Sequence, residues 1–496
     1  MTSPPAKSDR NCRVMTMSPH GARAVPVEIE LQYTGGLMQR IVMTGLPGGA
    51  VRESRDRIRG CLENCGLPVP RKSVLANFAP ADLPKEGNGF DLPLAIGILA
   101  LADLVPEEAL ARRAFVGEIA LDGRLRPVRG ALLAALRARQ DGLERLLLPR
   151  ENGAEAALVE GLHVEAVGSL PEALDVLAGA PPPPPPEPQV HRPTLLDLAD
   201  VRGQGSARRA LEIAAAGRHN LLLSGPPGTG KTMLAQRLPG VLPALDEVTA
   251  LDVTAMHGLA GGGPASVHRH PPFRAPHHTI SRAGMIGGGK PLCPGEVSLA
   301  HAGVLFLDEM PEFTRTLLEA LRQPLEDKTV RLARAANRMV FAADFQLVGA
   351  MNPCPCGYLG HPRRGCKCTP VQIQRYRQRI SGPLLDRFDL YVEVPPPEAK
   401  HILDRADAEP TSAVAERVLR ARSIPRPAAR LPDDRRVRTR LQTAIESFGL
   451  SGRSVGRLVA VARTIAALSG HAEAGVTDID EALSFRLGLI GFRTPE

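Results

Sequence analysis

The sequence predicts an α/β fold whose core is a nucleotide-binding P-loop domain, preceded by an α+β domain and followed by a helical one. Three observations carry this reading. A short apolar run, Asn220–Ser224, leads into the glycine-rich stretch GPPGTGKT at 225–232 and on into a helix-compatible segment, Thr232–Leu238. Two further apolar runs, Gly303–Leu307 and Gln346–Met351, alternate with helical patterns, as in a parallel sheet covered on both faces. From about residue 396 the pattern is helical, with candidates at Thr411–Arg422, Val437–Phe448, Val455–Leu468 and Thr477–Leu487. Thr477 and Asp480 resemble a capping box.

The boundary before the core is GAPPPPPPEPQVHRP at 179–193. Successive prolines exclude helix and central strand and favour an extended, stiff segment. This divides the chain into an N-terminal domain over 1–178, a linker over 179–193, a core over 194–395 and a C-terminal domain over 396–496. In the first of these, Val25–Leu31 and Gln39–Thr44 alternate like half-buried strands, whereas Ala50–Cys65, Leu92–Leu101 and Ala131–Leu143 read as helices. Ser206–Ala216, ended by Gly217, is a helix leading into the first core strand.

Bulk composition narrows the function classes. With 496 residues, 43% hydrophobic and 23% charged, the chain is long enough for several ordinary globular cores. It has no Trp and 4 Tyr, which disfavours recognition by aromatic stacking. A net charge of +8 fits a polyanionic partner such as nucleic acid and equally fits a solvated basic surface. The polar start, MTSPPAKSDRNCR, does not read as a signal peptide, and the apolar stretch at 92–102 is too short to span a bilayer. A cytoplasmic protein with no membrane partner is the expectation.

The phosphate chemistry is specific. A P-loop must turn its backbone N–H groups onto phosphate oxygens, and Gly225, Gly228 and Gly230 permit that curvature, with Pro226, Pro227 and Thr229 between them. Lys231 then reaches the β- and γ-phosphates of ATP, and Thr232 ligates Mg²⁺. In VLFLDE, at 304–309, Asp308 ends an apolar strand as a second Mg²⁺ ligand and Glu309 follows as the base for the attacking water. Between Lys231 and Asp308 lie 76 residues, long for one crossover, so an insertion is expected. Its stretch at 269–290 carries Arg269, Arg274, His277, His278, Arg282 and Lys290, either a cationic loop for a polyanion or a locally packed segment.

Taken together, FAPADLPKEGNGFDLPLAIGILA (78–100), VRGQGSARRALEIAAAGRHNLLLSGPPGTGKTMLA (201–235), FRAPHHTIS (273–281), GEVSLAHAGVLFLDEMPEF (295–313) and MNPCPCGYLG (351–360) resemble the ComM/YifB proteins, magnesium-chelatase-like AAA+ ATPases of bacteria. The resemblance runs through nearly the whole chain after about residue 22. It implies an N-terminal domain like that of Lon protease (ribosomal S5 domain 2-like), an AAA+ core and a C-terminal helical lid. It also implies a hexameric ring and a DNA helicase or branch-migration motor acting in natural transformation. By the same resemblance Asn352 matches the sensor-1 residue that positions the lytic water. Arg387 in SGPLLDRFDL matches an arginine finger serving the next subunit, and Arg453 in LSGRSVGR a sensor-2 arginine. Lon works with a Ser–Lys dyad, and here Gly89 stands where the serine would be. The segment GEIALDGRLRPVRGALLAA (117–135) holds no lysine, so proteolysis is not expected.

Two further clusters stand out. Cys354, Cys356, Cys366 and Cys368 supply four thiols, either a structural Zn²⁺ site or reduced cysteines in a loop, with a C-x-C spacing tighter than usual. The stretch 328–352 suggests a hairpin turning near Ala335–Asn337, whose Arg331, Arg334 and Arg338 either bind DNA phosphates or form a charged strand edge. A DNA motor competes with a chelatase-type ATPase subunit and a protein-remodelling ring. The last is disfavoured because Phe273 is the only aromatic residue in 240–300.

Overall fold

The computed structural model describes residues 11–34, 40–85, 87–261, 266–289, 292–334, 337–397, 409–424 and 433–490. Two sheets organise it. The N-terminal sheet has seven strands in the order Ile41–Thr44, Ser73–Ala79, Arg23–Thr34, Asn11–His20, Arg113–Phe115, Arg145–Pro149, His163–Val167. Arg23–Thr34 pairs antiparallel with both of its neighbours, and the last four strands run parallel. The alternation of VPVEIEL lands as expected, with Val27, Ile29 and Leu31 buried.

Helix Asp91–Leu101 is apolar all round because it is covered on both sides, by the strands Asn11–His20 and Arg23–Thr34 and by helix Gly49–Asn64. Its first residue, Asp91, is fully buried. Arg57 holds it through Nε and Nη2 at 2.9 Å each, and Ser54 and the Ile119 amide donate to it as well. A buried carboxylate survives only with such a set of donors.

The core sheet has five parallel strands in the order Phe273–Arg274, Val304–Leu307, Gln346–Met351, Leu221–Ser224, Leu390–Glu393. Val304–Leu307, Gln346–Met351 and Leu221–Ser224 are buried at every position, as strands covered on both faces must be. Helix Gly205–Gly217 and the C-terminal helices Thr411–Ser423, Arg435–Phe448, Gly452–Leu468 and Val476–Ile490 share one apolar core with this sheet. The helix expected over Thr232–Leu238 is instead two short pieces, Lys231–Ala235 and Leu238–Val241. Pro239 cannot donate to the carbonyl of Ala235, so the ladder breaks there. The capping box expected at Thr477 and Asp480 is shifted. The helix starts at Val476, and it is Asp478 whose carboxylate accepts from the Gly475 amide at 2.8 Å.

The linker is extended, without regular structure over 181–189, and its end Val190–His191 pairs in parallel with Val267–His268 of the core. The N-terminal domain also touches the core directly. Helix Ala131–Gln140 packs on helix Glu247–Ala260. The turn between the strands Asn11–His20 and Arg23–Thr34 lies against the expected hairpin, formed by Thr329–Arg334 and Asn337–Ala342. There the Ala22 amide donates to the Val340 carbonyl at 3.1 Å, and His20 Nε2 is 2.9 Å from the Arg338 carbonyl. Gly21 makes the approach possible: its φ is +66°, and a Cβ there would fall 2.8 Å from the Val340 oxygen. Gly21→Val should therefore detach the turn. We expect a thermal midpoint lowered by an amount equivalent to roughly 1–3 kcal/mol. We also expect faster amide hydrogen exchange in peptides spanning 20–24, whereas wild-type exchange would show that the contact contributes nothing.

Candidate nucleotide site

The P-loop emerges from strand Leu221–Ser224 and closes on helix Lys231–Ala235. Each glycine has its own reason. A Cβ at Gly225 would sit 2.2 Å from the Val394 carbonyl, so only glycine fits beside the neighbouring strand. Gly228 and Gly230 have φ of +78° and +89°, backbone that L side chains rarely adopt. Lys231 is buried, with Nζ 2.7 Å from the Gly225 carbonyl, 2.9 Å from that of Pro226 and 3.3 Å from Asn352 Oδ1. Burial lowers its pKa, and the carboxylates of Asp308 and Glu309 oppose the shift.

The partners expected from the other strands converge on the same cleft, of about 410 Å³, lined by Pro227–Met233, Asp308, Glu309, Met351 and Asn352. Thr232 Oγ1 donates to Asp308 Oδ2 at 2.7 Å, giving two hard oxygens side by side, the donor type that suits Mg²⁺. The Glu309 amide donates to Asp308 Oδ1 at 2.9 Å, and Glu309 holds a φ of +47°, a left-handed conformation costly for a non-glycine residue. Its carboxylate is exposed at the cleft, free to meet a water. His278 Nδ1 lies 4.0 Å from Glu309 Oε2, and the His277 ring lies against that of His278, with centroids 4.1 Å apart and tilted by 33°. The two-histidine stretch thus borders the base, which its sequence did not reveal. Arg274 is not a free cation: both of its outer contacts, at 2.6 and 2.7 Å, go to Glu296. Arg269 and Arg282 are exposed, and Lys290 lies outside the described residues.

Arg387 and Arg453 come together, but away from this cleft. Arg387 bonds Glu326 through Nη2 and the Pro383 carbonyl through Nη1 at 3.1 Å, and Arg453 Nη2 stands 3.5 Å from the same Glu326. The Arg387 side chain is 4% exposed and that of Arg453 60%, so Arg453 is the accessible one of the pair. The Arg387 carbonyl accepts from the Asn220 amide side chain at 2.8 Å. Asn220 precedes the strand whose far end opens the P-loop, and those five residues of extended chain span roughly 16 Å. Burial of the Arg387 guanidinium pulls its pKa down, and Glu326 opposes that.

Cys354, Cys356, Cys366 and Cys368 do converge, with all four sulfurs within 4.8 Å of one another. Their Sγ–Sγ distances of 3.4, 3.6 and 3.6 Å approach the roughly 3.8 Å that a tetrahedron of 2.3 Å Zn–S bonds requires. Amides of Cys356, Leu359 and Cys368 point at sulfurs at 3.4 Å, as thiolates need. The Cys356 thiol is pulled down to about 6 by the amides of Tyr358 and then Lys367. Gly357, at φ +83°, packs this knuckle onto the P-loop: a Cβ there would meet Pro227 Cδ at 2.7 Å. On the hairpin, Arg331 pairs with Val340 and Arg338 with Ala333, so both arginines share one face and are exposed, while Val330, Met339 and Phe341 are buried. Arg334 pairs with Asn337 through the backbone, and its side chain lies outside the described residues.

In the N-terminal domain the serine-equivalent Gly89 has room for a side chain, since a Cβ would meet Val116 only at 3.4 Å. Its neighbour Lys85 is buried, bonded to the Phe78 carbonyl at 3.0 Å and to that of Pro80, and burial lowers its pKa. Its ammonium protons are engaged by backbone, which gives it a structural role. No helix among the described residues is long and apolar enough to cross a membrane.

Comparison with known proteins agrees with this geometry. Residues 197–402 match the family described as magnesium chelatase, subunit ChlI, residues 29–152 that of subunit ChlI of Mg-chelatase, and residues 408–486 the ChlI C-terminal family. The chain is 41% identical to competence protein ComM of Haemophilus influenzae, over 94% of this chain and 95% of that protein. It is also 41% identical to the uncharacterized protein YifB of Escherichia coli, over 95% and 96% respectively. A shorter stretch is 28% identical to Lon protease 2 of Bacillus subtilis, covering 26% of this chain and 23% of that one. The chain belongs to the ComM/YifB family of magnesium-chelatase-like AAA+ proteins.

Proposed function

We propose that this chain is one subunit of an ATP-driven hexameric ring that moves DNA, as a helicase or branch-migration motor in recombination or natural transformation. The observation that carries the reading is the division of the nucleotide machinery between the two ends of one sheet. Lys231, Thr232, Asp308, Glu309 and Asn352 share a cleft, whereas Arg387 and Arg453 stand at the far end of the same strand. On this reading the phosphates they would neutralise belong to a neighbouring subunit, which a head-to-tail ring would supply.

Within the cleft, ATP would supply the phosphoryl group, and Thr232 and Asp308 would hold the Mg²⁺ that offsets charge on its oxygens. Glu309 takes a proton from the water that attacks the γ-phosphorus, and Asn352 orients that water. Lys231 stabilises the charge that gathers as the bond to the ADP oxygen breaks. The DNA part of the reading rests on the basic face of Arg331 and Arg338, on the net charge of +8, and on the kinship with a competence protein. Cys354, Cys356, Cys366 and Cys368 would hold a structural Zn²⁺ through four thiolates, closing the loop after Asn352. A second reading, an ATPase subunit of a metal chelatase, is favoured by the descriptions of the matching families. ATPase stimulation by branched, duplex or single-stranded DNA separates the two, because a chelatase subunit gains nothing from DNA.

Three outcomes follow. Glu309→Gln should bind a fluorescent ATP analogue as wild type does while turnover falls at least about 100-fold, whereas Lys231→Ala should lose binding as well. Wild-type turnover in Glu309→Gln removes it as the base. Arg387→Ala should lower the ATPase rate by roughly 10³–10⁵ with nucleotide binding nearly intact. Mixing it with inactive Lys231→Ala subunits should restore part of the rate at interfaces that pair a good cleft with a good finger. Mixed rings with no recovered activity would end the trans assignment. Protein purified without chelators should contain close to one zinc per chain, lost in Cys366→Ser/Cys368→Ser, and a metal-free wild type would leave four plain thiols.

A further inference from the structure

Between Asp344 and Asp386 the sequence has no acidic residue, yet it holds Arg363, Arg364, Lys367, Arg375, Arg377 and Arg379. Elsewhere several arginines are held by carboxylates: Arg57 by Asp91, Arg113 by Glu165, Arg209 by Glu481, Arg417 by Glu409. Within this stretch Arg379 is paired with Glu312. Among the described residues Arg363, Arg364, Lys367 and Arg375 have no carboxylate partner, and all four are exposed.

Crowded like charges repel and would open a free loop. Here the loop is held shut. The four cysteine sulfurs gather both of its ends within 4.8 Å of one another. His361 Nδ1 accepts the amides of both Arg363 and Arg364 at 3.0 Å, which sets the turn. The Arg364 guanidinium lies 5.3 Å over the Tyr358 ring and donates to its hydroxyl at 2.9 Å. A rigid display of unpaired cations is what a polyanion needs and what a merely solvated surface does not.

We infer that the loop between Cys356 and Cys366, with Lys367, is a second binding surface for the sugar–phosphate backbone of a nucleic acid, distinct from the hairpin. This rests on the reading of the chain as a DNA motor. The loop is also tied to the nucleotide cleft. One residue, Pro353, separates Asn352 from Cys354, Asn352 is 3.3 Å from Lys231, and Gly357 abuts Pro227. A grip on DNA at this point shares its mounting with the residues that sense the γ-phosphate.

The test is the full chain with Arg363→Ala, Arg364→Ala and Lys367→Ala together, titrated by anisotropy against fluorescein-labelled single-stranded and duplex oligonucleotides. Each lost phosphate contact should flatten the log–log salt slope by about 0.7–0.9, so three shrink the affinity change between about 50 and 200 mM salt by roughly 20- to 40-fold. Arg363→Lys/Arg364→Lys, which keeps the charges, should keep the slope. A melting curve shows whether the triple variant folds. If it does not, Lys367→Glu alone should weaken binding about tenfold. Wild-type affinity and slope in the folded triple variant, with Arg331→Ala/Arg338→Ala weakened, overturns the loop while leaving the motor intact. Failure of wild-type protein to bind any oligonucleotide overturns the motor reading and the loop with it. Loss of poly-glutamate binding with oligonucleotide affinity unchanged overturns it in favour of an acidic protein partner.

Discussion

The nucleotide cleft exists because three neighbouring parallel strands end within two residues of one another. Ser224 pairs with Met351, so Gly225 and Asn352 leave the sheet level, and Leu307 pairs with Gly349, so Asp308 leaves it two residues earlier on the adjoining strand. All three strands are apolar and buried on both faces, and each large side chain so buried contributes about 1.5–3 kcal/mol. Gly349 is what lets the middle strand sit there: a Cβ would come within 2.9 Å of Met310 Sδ and 3.0 Å of Leu222. A slip of one residue would reverse every side chain and separate the carboxylates from the P-loop.

The opposite end of the sheet is set just as firmly, and by one residue. The backbone amide of Asn220 donates to Asp389 at 2.9 Å, its side-chain amide donates to the Arg387 carbonyl at 2.8 Å, and its side-chain oxygen accepts from Leu347 at 2.8 Å. Arg457 donates to the same Arg387 carbonyl and to Asp389. The backbone around Arg387 is therefore tied to the sheet, and its side chain is held by Glu326. Of the two guanidiniums around Glu326, Arg453 is the exposed one and stands farther away, at 3.5 Å.

The sequence made legible whatever depends on local pattern. The P-loop, the DE pair after VLFL, the strand QLVGAM and the four C-terminal helices lie where periodicity and motif put them, within one to three residues at most ends. What stayed hidden depends on three-dimensional neighbours. Nothing in the spacing of Glu326, Arg387 and Arg453 says that one carboxylate serves both arginines, since they lie far apart in the chain. His278 gave no sign that it borders Glu309, for the same reason. The helix after the P-loop was drawn too long because a favourable composition masked the effect of Pro239. The capping error at Val476 was one of register: several oxygen-bearing residues stand near that helix start, and only the backbone decides which one turns back.

In the N-terminal domain the buried polar residues are committed to packing. Lys85 is locked to carbonyls, Gly89 carries no nucleophile, and Asp91 is spent on Arg57. What it offers the rest of the chain is position. Its turn at Gly21 bonds the second strand of the hairpin, and its helix Ala131–Gln140 rests on Glu247–Ala260. A two-stranded hairpin alone is marginal in water. Here Val330, Met339 and Phe341 anchor one face in the core, and the His20–Ala22 turn covers the backbone edge near Arg338 and Val340. Arg331 and Arg338 are thus presented from a braced platform, so a displacement of the hairpin relative to the N-terminal domain must break the Ala22–Val340 bond. Movement of the arginines is coupled either to the whole N-terminal domain or to the rupture of the Ala22–Val340 and His20–Arg338 contacts.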